Sequence, residues 1–279
     1  MSDATTLKSS AGRREDAAVP EAPRGIDPLT TVSNGLQLAW RSVLKIKTNP
    51  EEVLGLLFMP IMFVTLFVFV FGQAMMGDWQ TYRDFLMPGI IAQSVVFATL
   101  GTGFTLCQDV EKGIFDRFRS LPIARSAPLI GAILGDLVRY TITVVMVLLV
   151  GLAIGFRPDG GVVGVVAAAA LILLFAFALC WMSAFVGMMV RTPMAVQSFG
   201  MILMFPLTFG SSAFVDPQAM PSWMRVVAEN NPITHVVNAM RGLMIGGDVA
   251  APVTWTLVWT AIFIGIFGPL AVWAYRRRT

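Results

Sequence analysis

An all-α membrane protein with six transmembrane helices is the fold class that this sequence predicts, and three observations predict it. Hydrophobic residues make up 56% of the chain and charged residues only 13%, with a mean hydropathy of +0.73. That is far more apolar than a soluble domain. Six apolar stretches each approach or exceed the roughly 20 residues that a bilayer crossing needs. Lys and Arg also divide unevenly between the two sides that six crossings define, as retention of positive loops in the cytoplasm requires. The formal net charge of +3 is small and the basic residues are scattered among loops, which excludes a nucleic-acid binder. Cys107 and Cys180 have neither metal-site nor secreted-disulfide spacing and read as small apolar fillers.

Residues 1–33 mix Ala, Pro, Ser, Thr and charges without periodicity, so they bury too little to offset ordering and read as a flexible cytoplasmic tail. Arg13-Arg14 is followed by Glu15 and Asp16 and no apolar region, so no cleaved signal is expected. From Gly35 to Thr48, Leu36, Ala39, Trp40, Val43 and Ile46 recur at helical spacing, with Arg41 and Lys45 off that face. This predicts an amphipathic N-terminal interfacial helix suited to an anionic leaflet, or a plain juxtamembrane anchor.

Asn49-Pro50-Glu51-Glu52 is a helix start, with Asn as cap, Pro at the first helical position and Glu52 answering the cap. The first span follows over 53–72 with a kink at Pro60, and a polar loop holds Asp78, Arg83 and Asp84. The remaining spans are expected over 85–107, 129–156, 162–190, 195–214 and 253–275. Only Arg83, Arg157, Arg225 and Arg241 of the 20 Lys and Arg fall on the outer side, so both termini are assigned to the cytoplasm of a multi-pass inner or plasma membrane protein.

Between the second and third spans lies a charged island from Asp109 to Arg125. At 100° per residue Ile114, Phe115, Phe118 and Leu121 fall within an arc of about 120°, with Lys112, Asp116, Arg119 and Ser120 opposite. A short amphipathic helix results, either a docking knob for a partner or an interfacial helix that only holds topology. Outside, between the fifth and sixth spans, Met220–Ala228 reads as a short helix begun by Pro221. A second helix, begun by Asn231-Pro232 and stopped by Gly246-Gly247, has Ile233, Val236, Val237, Met240, Leu243 and Met244 on one face. The pair either re-enters the outer leaflet under the protection of neighbouring protein or lies flat outside. His235 reads as an interfacial polar residue rather than a ligand.

Charges inside spans usually mark ion pathways, and here they are nearly absent. Asp136 and Arg139 stand one turn apart, about 10 Å along the helix from Leu129, and read as a structural pair rather than a proton relay. The chain has no phosphate loop, zinc helix or nucleophile elbow, so it carries no visible engine of its own.

Three separated runs resemble the type-2 ATP-binding-cassette exporter permeases, particularly the daunorubicin-resistance and lipid-export branch. They are Glu111-Lys112-Gly113-Ile114-Phe115-Asp116-Arg117-Phe118-Arg119-Ser120-Leu121-Pro122-Ile123, Phe85-Leu86-Met87-Pro88-Gly89, and Asn231-Pro232-Ile233-Thr234-His235-Val236-Val237-Asn238-Ala239-Met240-Arg241. Ile114 departs from the Thr that many relatives carry.

The resemblance implies a transmembrane domain over 34–279 that is not an enzyme and binds no cofactor or metal itself, with ATP and Mg held by separate ABC ATPase subunits. Glu111, Gly113, Ile114, Phe115, Arg117, Phe118, Arg119, Leu121 and Pro122 would form the cytoplasmic coupling helix and its flanks. Asn231, Pro232, His235, Val237, Met240 and Arg241 would belong to the external re-entrant helix. A second permease copy or homologue, membrane lipid and a hydrophobic or amphiphilic drug or lipid substrate complete the implied partners. The residues by themselves also admit a non-transporting scaffold or sensor, or an ion-coupled secondary transporter, although no inverted repeat supports the latter.

Overall fold

The computed structural model of the chain describes residues 58–113 and 127–278. The expected tail, the N-terminal interfacial helix, the Asn49–Glu52 cap and the amphipathic helix beyond Gly113 lie outside the described residues. Among the described residues every secondary element is helical. Five helices are long and apolar enough to cross a membrane: Phe58–Met76, Trp79–Glu111, Ile133–Ala153, Gly161–Met189 and Ala250–Tyr275. A shorter apolar helix, Pro193–Phe209, stands where the fifth span was expected.

The first helix, α1 (Phe58–Met76), widens into a π-helical stretch at Thr65–Phe71, so its irregularity lies beyond Pro60. It stops at Gly77, whose φ of 71° an L side chain rarely adopts. Asp78 then caps α2 (Trp79–Ala98), accepting from the Thr81 N–H at 2.9 Å and the Thr81 hydroxyl at 3.0 Å. These bonds hold its carboxyl below the usual range. This cap corrects the expected loop: Arg83 and Asp84 sit in the early turns of α2, paired at 2.8 Å. Arg83 also donates to the Ile154 carbonyl at 3.3 Å.

A second correction concerns continuity, because the second crossing is two helices. After α2 the chain turns at Thr99 and resumes as α3 (Leu100–Glu111). The Thr102 N–H bonds back to Thr99 O at 3.1 Å, which releases the Ala98 carbonyl from its usual helical donor. Arg139 Nη2 takes that carbonyl at 3.1 Å. An interruption inside a membrane needs such a replacement, since no water is there to supply it.

The third crossing is α4 (Ala127–Ala153), ended by Gly155 at φ 96° with Phe156 N–H returning to Gly151 O at 2.9 Å. This Schellman-type stop seats Phe156 fully inside the bundle. The long apolar α5 (Gly161–Met189) is the central post, touching α3, α4 and the helices over Pro232–Met244 and Ala250–Arg278. Small residues let it approach closely: a Cβ on Gly187 would lie 2.3 Å from the Gly103 carbonyl, and Ser183 Oγ accepts from the Gly103 N–H at 3.1 Å.

Thr192 and Pro193 begin α6 (Pro193–Phe209) by capping and by a preset φ. The expected fifth span to Phe214 is cut short, because Gly210–Phe214 turns inward and Ser211, Ser212, Ala213 and Phe214 are buried. A 3-10 turn (Pro217–Ala219) leads to α7 (Ser222–Glu229), then to α8 (Pro232–Met244) and α9 (Ala250–Arg278).

The start of α5 docks under the end of α8. Gly160 N–H donates to Met244 O at 3.0 Å, and a Cβ on Gly164 would sit 2.1 Å from the Leu243 carbonyl. Gly164→Ala is therefore expected to lower stability by about 1–3 kcal/mol, the usual range for overpacking against atoms that cannot yield. Thermal unfolding in lipid nanodiscs measures this, and an unchanged midpoint would contradict the close approach.

Candidate functional site

Two of the three separated runs meet at the inward turn Gly210–Phe214. Asn231 caps α8 by accepting from the Ile233 N–H at 2.9 Å, and its amide nitrogen donates to Leu207 O at 2.7 Å and Gly210 O at 3.1 Å. One turn on, Thr234 Oγ1 accepts from the Ser212 N–H at 2.9 Å. From the other side Gly89 lies so close to the turn that a Cβ would fall 2.2 Å from the Ala213 carbonyl. Tyr82 donates to the Phe214 carbonyl at 2.9 Å.

Arg241 closes the junction. Its Nε donates to Phe85 O at 3.0 Å, Nη1 to Asn238 Oδ1 at 3.0 Å and Ser212 Oγ at 3.3 Å, and Nη2 to Ser212 O at 2.7 Å and Ala213 O at 3.2 Å. The guanidinium also covers the Phe85 ring, 3.6 Å from its centre. No carboxylate lies within ion-pair distance of it among the described residues. Burial pushes its pKa down to about 9, opposed by the fields of Asp216 and Tyr82. A guanidinium this well bonded stays cationic at neutral pH.

The buried face of α8 is the one its periodicity indicates: Ile233, Val236, Val237 and Met240 are 0–1% exposed. They are covered by this chain's own helices α2, α5 and α9 rather than by anything outside it, since burial is complete without a membrane. A charge at Val237 is consequently costly whether the helix re-enters the leaflet or lies above it. His235 is half-buried against Trp255, ring centres 5.7 Å apart, and burial holds its pKa below the ordinary value. In contrast, α7 leaves Trp223, Val226 and Val227 exposed along one face.

A cavity of about 610 Å³ opens between α1, α2, α3, α4 and α6, within the usual range for small-molecule pockets. Its walls are apolar and aromatic: Phe63 from α1, Phe97 and Phe104 from either side of the Thr99 interruption, and Phe205 and Phe209 from α6. Among the described residues the polar lining groups are Gln93, Ser94, Thr143 and Gln197, and no ionisable side chain lines it.

Behind the wall lies a buried polar cluster. The Thr102 hydroxyl donates to Asp136 Oδ2 at 2.6 Å and, having given its proton there, accepts from Tyr140 OH at 2.6 Å. Cys180 Sγ donates to Tyr140 OH at 3.3 Å. Asp136 and Arg139 do pair, at 3.4 Å, but as part of a network joining α3, α4 and α5. Among the described residues no group of three or more His, Cys, Asp or Glu is placed to hold a metal.

At the far end of α3 from Thr99, Glu111 is exposed and Gly113 turns the chain with φ 67°. Ile114, Phe115, Arg117, Phe118, Arg119, Leu121 and Pro122 lie outside the described residues. Sequence reasoning missed Ser212, Asn238, Tyr82 and Gln93. The available signal was amide and hydroxyl residues placed within apolar runs, a weaker mark than a charge.

The family profile of the ABC-2 type transporters matches residues 35–245. The chain is 37% identical over 249 residues to the daunorubicin resistance ABC transporter permease protein DrrB1 of Streptomyces coeruleorubidus, covering 89% of this chain and 88% of that protein. It is 26% identical over 229 residues to the probable doxorubicin resistance ABC transporter permease protein DrrC of Mycobacterium tuberculosis, covering 81% and 82%. To the putative transport permease ycf38 of Cyanophora paradoxa it is 24% identical, over 74% of this chain and 72% of the relative.

Proposed function

As the chain belongs to the ABC-2 type transporter family, we propose that this membrane permease exports a hydrophobic or amphiphilic drug or lipid, driven by separate ATPase subunits that hold ATP and Mg. The observation that carries the substrate class is the uncharged, aromatic cavity of about 610 Å³. Apolar walls with few polar groups accept amphiphiles without demanding one shape. The drug resistance for which the relatives are named supports the same reading.

In this proposal the segment from Glu111 to Pro122 is the coupling helix and its flanks. Ile114, Phe115, Phe118 and Leu121 fill an ATPase groove, while Arg117 and Arg119 provide steering and register. The helices α1 to α6 and α9 supply six crossings of the cell membrane, α6 included, and place both termini in the cytoplasm. The external helices α7 and α8 form the outer lid, and a second permease copy or homologue completes the transporter.

The direct test is reconstitution of the permease with its candidate ATPase in proteoliposomes and measurement of ATP-dependent daunorubicin movement. Uptake into inside-out vesicles is expected. Copurification and ATP hydrolysis without movement of this or other amphiphilic probes would refute export. Topology has its own check: with Cys107 and Cys180 replaced, single cysteines at Arg13, Ser120 and Arg277 should be shielded from an impermeant thiol reagent in intact cells. Cysteines at the exposed positions Gln218 and Asp248 should react. Labelling of Ser120 and Gln218 from the same side would overturn the six-crossing arrangement.

A further inference from the structure

The cavity's polar groups are not equivalent. Ser94 donates its hydroxyl to Ile90 O at 2.7 Å and Thr143 donates to Arg139 O at 3.0 Å, so both protons are committed to the backbone of their own helices. Gln197 is exposed at the other wall and has free choice of surroundings. Gln93 differs from all three. It is only 5% exposed, lies along the cavity, and among the described residues its side-chain amide makes no hydrogen bond.

An amide set among apolar side chains gains from any partner it is given, because an unmet donor or acceptor forfeits the worth of a hydrogen bond. An amide facing a cavity finds a partner only in what the cavity holds. Water serves when no ligand is bound. A ligand that displaces that water must then reproduce its bonds or forfeit affinity.

The surroundings of Gln93 define the rest of the ligand. Phe97 stands one turn along the same helix, and Phe205 and Phe209 stack across the cavity with ring centres 4.3 Å apart. Such faces favour flat aromatic groups. Among the described residues the cation beside the cavity is Arg139, which stands behind Gly101, where a Cβ would come within 2.5 Å of Nη2, and is bonded to Ala98 O and Asp136. The lining thus presents neither an anion to select amines nor a free cation to select acids.

We infer that the cavity binds planar aromatic ligands bearing an uncharged carbonyl or hydroxyl group, and that the Gln93 amide is the specificity-determining residue that reads this group. The inference deepens the export proposal and rests on it for the identification of the cavity as the substrate site. Shape and aromatic faces set the general affinity. Gln93 sets the preference between ligands of one shape.

Anthracene and 9,10-anthraquinone test this, since they share a three-ring frame and only the second carries carbonyls. Binding of each is measured to the full-length permease in lipid nanodiscs, with partition into empty nanodiscs subtracted. The wild type is expected to bind anthraquinone about three- to tenfold more tightly than anthracene, the ordinary worth of one neutral hydrogen bond. Gln93→Leu should abolish that preference while anthracene affinity stays the same.

If Gln93→Leu also loses anthracene, Gln93→Met, unbranched and of similar length, is read in the same way. Loss of anthracene in both variants would make Gln93 a structural residue and overturn the inference. So would a wild type without preference, or a preference that survives in Gln93→Leu. The export proposal fails separately: a Gln93-dependent preference without any ATP-driven movement would leave the recognition standing and remove the transport reading.

Discussion

Arg241→Leu is expected to destabilise the folded protein by about 3–5 kcal/mol, the cost of removing one partner from a buried, charge-assisted network. The magnitude follows from what the guanidinium leaves behind. The carbonyls of Phe85, Ser212 and Ala213 and the Asn238 amide oxygen would lose donors at 2.7–3.2 Å. Leucine offers none, and the neighbouring backbone cannot turn toward water. Arg241→Lys keeps the charge but replaces the planar fork with a point charge, so an intermediate loss is expected. The measurement is unfolding of equal amounts of purified variants in nanodiscs, supported by their steady-state amounts in membranes. A Leu variant within about 1 kcal/mol of wild type would show that these bonds are readily replaced.

Phe118→Asp is expected to release the ATPase from the permease. The case rests on the sequence arc of Ile114, Phe115, Phe118 and Leu121, in which Phe118 is the large aromatic near the centre, where binding energy concentrates. Removing such an anchor and burying a carboxylate in its place typically costs more than 2 kcal/mol, over about thirtyfold in affinity. Insertion should be unaffected, because the position is outside every expected span and the change adds no positive charge. The readout is ATPase recovered with equal amounts of inserted wild-type and mutant permease. Equal recovery with unchanged ATP-dependent export would leave this segment only a topological role.

The helices were legible because their signals are local. Thr192-Pro193 and Asn231-Pro232 sit where the caps of α6 and α8 form, and the apolar face of α8 is the buried one. The interruption at Thr99 was not legible, because its cause is a side chain 40 residues away: Arg139 must be in place before Ala98 O can leave its helical donor. The inward turn at Ser211–Phe214 was mistaken for the end of a span for a similar reason. Its residues are apolar enough to cross a membrane, and the turned backbone is held by Tyr82, Asn231, Thr234 and Arg241 from elsewhere in the chain. The cavity was invisible in one dimension, since each wall reads as an ordinary apolar helix. The resemblance brought together runs that the fold places in contact, Phe85–Gly89 and Asn231–Arg241, without indicating the turn between them that both hold.

The break at Thr99 also divides the cavity wall. Gln93, Phe97 and Ala98 ride on α2, which Arg241 and Tyr82 tie to the junction with α8, whereas Leu100, Gly101 and Phe104 ride on α3, which ends at Glu111. The chamber is therefore built across a seam rather than bored through a solid post. A tilt of α3 need not drag α2 with it, and the first distance to change would be the one between Phe97 and Phe104. What joins the two pieces across the seam is Arg139, whose Nη2 holds Ala98 O at 3.1 Å and lies against Gly101.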